Sequence, residues 1–292
     1  MRSLTALTAP TALTVAVLAA ACGDKGSSVA SKITLRYHPP AGAEYRYVMD
    51  QVHTMSMEAG PLTGMGEQKL TARMHLTQNV TGPVPGGIEG KVTFDSMHIE
   101  APGMAPDMMA RELDRARGFV STVLFDERGR VVRSAVGAAP GVAPELASQM
   151  SSSVKALAFA LPEEPVGPGD SWTITSELPA GQLPGVSGAG ASRTKLTVRE
   201  IRVTAGDTTV LLGVETTFPD DPIGLTIAGR PATLRLSGSL TGDQVFSLTR
   251  GVVVSSTVKG TMKVNVSGGP LGGRGMVVSS ATEASLRLVG AR

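Results

Sequence analysis

The sequence predicts a mainly β protein, a long curved antiparallel sheet of the open half-barrel type. The sheet is expected to be built from two related meander halves, with two amphipathic helices on its concave face. Three observations carry this reading. Apolar and polar residues alternate with period two through most of the chain beyond residue 44. Gly/Pro-rich stretches punctuate the alternating runs. Two segments alone switch to helical spacing.

The first alternating run puts Tyr45, Tyr47, Met49, Gln51, His53, Met55 and Met57 on one strand face. The second groups Leu70, Ala72, Met74, Leu76 and Val80, and a third covers residues 88–99. Loops are expected at 60–64 and at 81–87, where Gly and Pro cluster. Residues 107–117, ended by Gly118, bring Met109, Leu113 and Ala116 together at helical spacing. Residues 144–161 do the same for Leu146, Met150, Val154, Leu157 and Leu161, opening on Pro144 and stopping before Pro162. The clearest pattern lies near the C-terminus. Val252, Val254, Val258, Met262, Val264 and Val266 face one way and Ser255, Thr257, Lys259, Thr261, Lys263 and Asn265 the other. After a glycine-rich loop, Met276, Val278, Ala284, Leu286 and Leu288 resume the inward row. This is a long hairpin with one wet and one covered face.

A faint repeat divides the body. Residues 40–45 parallel 167–172, Lys69-Leu70-Thr71 recurs as Lys195-Leu196-Thr197, and Arg128-Gly129 recurs as Arg250-Gly251. The near-constant offset predicts a duplicated β-meander. The expected division is a signal peptide over 1–21, a tether over 22–31, a first half with both helices over 32–161 and a second half over 162–292.

The N-terminus carries an address. Arg2 precedes an apolar stretch too short to span a bilayer, and that stretch ends in Leu18-Ala19-Ala20-Ala21-Cys22. Small residues before a cysteine suit peptidase cleavage and thioether attachment of a diacylglycerol to Cys22. The pattern resembles the bacterial lipoprotein signal, or lipobox, with its leucine four rather than three residues before the cysteine. Cys22 is the only cysteine of the 292 residues, so lipidation there leaves none for a disulfide. Two acyl chains anchor stably, at roughly 0.8 kcal/mol per buried CH₂. The resemblance, with Gly23 rather than Asp after the cysteine, implies an outer-membrane lipoprotein facing the periplasm of a bacterial envelope.

Residues 35–37 and 42–47 (Leu35-Arg36-Tyr37, Gly42-Ala43-Glu44-Tyr45-Arg46-Tyr47) resemble an uncharacterised family of bacterial secreted proteins and lipoproteins. So does the run Leu161-Pro162-Glu163-Glu164-Pro165-Val166-Gly167-Pro168-Gly169-Asp170-Ser171-Trp172. That likeness implies an architecture and no catalytic residues. In general plan the chain is also similar to LolA/LolB-type lipoprotein carriers.

Composition narrows the chemistry. With 27 basic and 25 acidic residues the net charge is +2, without the basic excess of a nucleic-acid binder. Gly169-Asp170-Ser171-Trp172 invites comparison with Gly-Asp-Ser-Leu hydrolases, but the last histidine, His98, precedes the serine. On a strand Asp95 and His98 face opposite sides of the sheet. A serine without a base is not activated. Nine of the 13 methionines lie between Met49 and Met109. Thioethers with His53 suit Cu(I), yet neighbours on one face of a strand sit ~7 Å apart, so His53, Met55 and Met57 do not converge on one ion. No metal, cofactor or nucleotide motif is expected. The paired acids Glu163-Glu164 and Asp220-Asp221 read as turn charges. The predicted function is non-catalytic binding of an apolar or amphipathic ligand such as a lipid acyl chain. Tyr45, Tyr47, Met49, His53, Met55, Met57 and Met74 are the candidate ligand-facing residues. The alternative is a structural or partner-binding lipoprotein with a filled core.

Overall fold

A computed structural model describes residues 32–59, 66–101, 117–136, 160–178, 190–204, 206–227, 229–269 and 275–292. Twelve strands follow in chain order: β1 (Glu44–Ala59), β2 (Gln68–Val84), β3 (Gly87–Glu100), β4 (Phe119–Phe125), β5 (Val131–Val136), β6 (Ser171–Leu178), β7 (Gly190–Thr204), β8 (Asp207–Phe218), β9 (Ile223–Ile227), β10 (Arg230–Ser247), β11 (Val252–Gly268) and β12 (Met276–Ala291). They form one antiparallel sheet in the order β5-β4-β3-β2-β1-β12-β11-β10-β8-β7-β6, with β9 beside β10. The fold is the expected open, curved antiparallel sheet. Both expected helices fall almost wholly on residues 102–116 and 137–159, outside the described residues. Ala160 and Leu161, at the end of the second, are buried and non-helical.

The alternation explains the strands. In β11 and β12 exposure itself alternates, half-buried inside and exposed outside, for most of each strand. β1 to β5 form a meander, and β6, β7, β8, β10 and β11 form another whose order runs the same way across the sheet. The two Arg-Gly pairs occupy equivalent places, in the β4–β5 and β10–β11 turns. The halves meet where β1 pairs with β12, from Tyr45 opposite Ala291 to Ala59 opposite Val277. Residues 81–87 are not the long loop expected there. β2 continues to Val84, absorbing Gly82 at a register shift, and β3 begins at Gly87 after a two-residue turn.

Curvature has a local cause in β10 and β11. At Gly242 an added Cβ would lie 1.8 Å from the Thr257 carbonyl oxygen, and at Gly260 2.0 Å from that of Ser239. Only a residue without Cβ lets neighbouring backbones approach this way, which is how glycine permits a sheet to coil sharply.

One end of the sheet is closed. Two extended segments, 32–43 and 160–170, lie there and pair with each other through Ile33 and Val166. Tyr37 N–H donates to Glu127 and Leu161 N–H to Arg128, both in the β4–β5 turn. Gly169 N–H donates to Val198, and Val198 N–H to Asp170, at a bulge in β7. The Arg128 guanidinium binds the Leu161 carbonyl at 2.7 Å and pairs with Glu163. Arg36 binds the carbonyls of Pro162 and Glu163 at 3.0 and 2.9 Å. Beneath these segments Leu35, Leu161, Phe119, Val123, Leu212 and Phe246 form the main core, each at most 1% exposed.

Candidate apolar site on the inner face

The sheet face that carries the core is the inner face, and β1 shows how its character changes along one strand. Tyr45, Tyr47 and Met49 are buried, at 3%, 8% and 7% exposure. Tyr45 Oη donates to the Arg250 carbonyl and Tyr47 Oη to that of Val253, both at 3.1 Å. Burial pushes both phenols above their ordinary pKa, as it does Tyr37. Met74 lies opposite Met49 and is 8% exposed. These four predicted ligand-facing residues therefore fill the closed end rather than line a cavity.

Past Met49 the face opens. His53 Nδ1 lies 3.0 Å from Thr282 Oγ1, and partial burial lowers its pKa. Met55 is 40% exposed and Met57 half-buried. Register extends this region sideways into residues the sequence reading did not include in the site. Met57 lies opposite Val278, Val278 opposite Val264, and Val264 opposite Leu236. Beyond them a second apolar cluster of Ile223, Leu225, Ala232, Leu234 and Val266 closes the far end, with β9 at its side. Between the clusters small and larger residues alternate across the floor: Ala284, Thr282 and Ser280 on β12, Val258, Gly260 and Met262 on β11, and Gly242, Leu240 and Gly238 on β10. The result is a half-exposed apolar trough in which small side chains sit between larger ones. From Met49 to Met57 it runs about 26 Å at the rise of a strand. One acyl chain in a bilayer leaflet covers ~15 Å, half the hydrocarbon core.

The signal that could have found Val278 and Val264 is the alternation that placed them inward, and Leu236 follows from the β10–β11 register. Joining them to Met57 required the β1–β12 register, which no local pattern encodes.

The outer face is polar. Two shallow grooves of about 360 and 440 Å³ cross it, one edged by Thr54, Ser56, Thr261 and Ser279, the other by Glu44, Arg46, His75 and Asp95. Glu58 accepts from Lys263 at 2.7 Å and from Ser279, and the lysine contact is the main reason its carboxyl titrates below the usual range. Arg73 pairs with Asp50 at 2.6 Å.

Ser171 opens edge strand β6 opposite Thr197. Asp170 is occupied otherwise, accepting from Gly167 N–H at 3.0 Å and pairing with Lys32 at 3.1 Å. Trp172 Nε1 donates to the Ala160 carbonyl at 2.8 Å, fixing the second covering segment. Asp95 and His98 do not face opposite sides as an unbroken strand would require. A bulge in β3, where His75 pairs with Ser96 and Leu76 with Phe94, leaves both exposed. There Asp95 accepts from Thr77 at 2.6 Å and His98 lies 3.3 Å from Glu100. Among the described residues no group of three His, Cys, Asp or Glu side chains is placed to hold a metal, and no helix is long and apolar enough to cross a membrane. Cys22 lies outside the described residues.

No family model and no curated protein matches the chain. Among solved structures it is similar to one described as lipid–protein interactions in lipovitellin, with a TM-score of 0.45 and 15% identity. The match covers 87% of this chain and 26% of that one, so the chain spans about a quarter of the length of that structure.

Proposed function

We propose that the protein is a non-catalytic lipoprotein of a bacterial envelope, anchored through Cys22 to the outer membrane and facing the periplasm, that holds an apolar or amphipathic ligand in the trough. The carrying observation is the change along β1. One face of one strand passes from a sealed core at Met49, through Gln51 and His53, to half-exposed apolar side chains at Met55 and Met57. Apolar side chains interleaved with small residues suit a flexible hydrocarbon, which gains about 25 cal/mol per Å² of apolar surface it removes from water.

Native mass spectrometry of the full chain extracted from its own membrane tests this. The expected spectrum shows one lipid-sized adduct beyond the mass of the acylated Cys22, lost in a Met57→Asp, Leu240→Asp variant. A spectrum with no adduct overturns the ligand. An unmodified Cys22 overturns the anchor.

The second reading, a structural lipoprotein with a filled core, draws on the closed end, where segments 32–43 and 160–170 leave the interior packed. Crosslinking in intact cells separates the two readings, since a scaffold captures a protein and a carrier captures lipid.

A further inference from the structure

Three methionines on three adjacent strands meet in a single cross-strand row. Met49 on β1 lies directly opposite Met74 on β2, and Met74 directly opposite Met97 on β3. All three belong to or pack against the main core, at the border where the inner face begins to open. Directly opposed residues in an antiparallel pair have Cβ atoms ~4.5–5.5 Å apart. Met74, in the middle of the row, is therefore one such step from each of the other two, and an unbranched thioether with three rotatable bonds reaches half-way across that step from either side.

Met97 reaches this row only because of the β3 bulge. Phe94 faces inward, so on an unbroken strand Met97, three residues later, would face out. The extra residue between the Phe94 and Ser96 pairings reverses the alternation and turns Met97 inward beside Met74. Bulges that re-aim one side chain recur next to functional sites. Gln51 Nε2 lies 3.6 Å from Met49 Sδ, placing that sulfur next to the half-open row that follows. Met97, half-buried, leaves the β3 end of the row partly accessible.

We infer that Met49, Met74 and Met97 form a site for a soft monovalent d¹⁰ cation, Cu(I) or Ag(I). The donor set is thioether only, carries no charge and holds no imidazole or carboxylate. Such a set selects Cu(I) and rejects Ca²⁺ and Mg²⁺, which require oxygen ligands. It also has no proton to lose, so its affinity is independent of pH where a His or Cys site would weaken in acid.

The test is a titration of the full chain in detergent with silver nitrate, in chloride-free buffer, following ¹³C-labelled methionine methyl groups by NMR. The expected result is one equivalent bound, with the Met49, Met74 and Met97 methyls shifting and those of Met55 and Met57 unmoved. Affinity is the same at pH 5.5 and 7.5. Met74→Leu, a near volume-conserving change, keeps the melting temperature within a few degrees and weakens silver at least tenfold, the lower bound for changes around a metal site. Met97→Leu, at the partly exposed end of the row, does the same and serves if Met74→Leu is unstable. Silver binding unaltered in these variants, or accompanied by shifts of Met55 and Met57 instead, overturns the site. Failure here leaves the trough's ligand untouched, since that ligand is read from Met55, Met57 and a lipid adduct.

Discussion

The two ends of β1 differ less in sequence than in what lies above them. Tyr45, Tyr47 and Met49 are sealed, while His53, Met55 and Met57, continuing the same face, are not. The sealed end is covered by segments 32–43 and 160–170, held to the β4–β5 turn and to β7 by backbone hydrogen bonds and by Arg36 and Arg128. Alternation decides which side of a strand a residue takes. Covering segments with no periodicity of their own decide whether that side becomes a core or a surface.

The sharpest way to break this comparison is to cut a large side chain at each end. Phe246→Ala removes a fully buried ring from the closed end and should cost ~3–5 kcal/mol. Leu240→Ala, on the open part of the same strand, should cost under ~1 kcal/mol by chemical denaturation without ligand. Equal losses would mean that the trough is as tightly packed as the core.

Gly260→Ala sharpens the account of the floor. Its Cβ would fall 2.0 Å from the Ser239 carbonyl oxygen, so the β10–β11 hairpin must straighten locally. A loss of ~1–3 kcal/mol is expected, as for other overpacking changes, together with a weaker lipid adduct. An unchanged melting temperature would show that the sheet does not need its coil there.

The smallest effect is a pH dependence. Burial lowers the His53 pKa in the folded protein. The unfolded chain therefore takes up the proton first as pH falls through ~6.5, and stability declines from there downward. His53→Gln should flatten the melting temperature between pH 7.5 and 5.5. A slope that survives the change would place the proton elsewhere, and Glu58, Glu100 and Asp170 are poor candidates because their lowered pKa values put their contribution in a more acidic window.

Much of the fold could be read from the residues. The hairpin of β11 and β12 and the inward rows of β1 and β2 follow from alternation alone, because a half-buried sheet imposes a strict period of two. The pairing of β1 with β12 could not be read, since contacts across more than 200 residues leave no local trace. The bulge at Asp95 was hidden for a related reason. One inserted residue changes no composition, yet it moves His98 and Met97 to the other side of the sheet. In the candidate site, Met55 and Met57 were legible as an apolar row, whereas the burial of Tyr45, Tyr47, Met49 and Met74 depends on Leu35 and Leu161 in extended segments without a pattern.

The most direct measurement follows the methionine methyl groups while the full chain is titrated with dodecylphosphocholine below its micelle-forming concentration. The account predicts saturable shifts at Met55 and Met57 with Met49 and Met74 unmoved. Shifts at Met49 and Met74 alone, at all four together, or at none would contradict it.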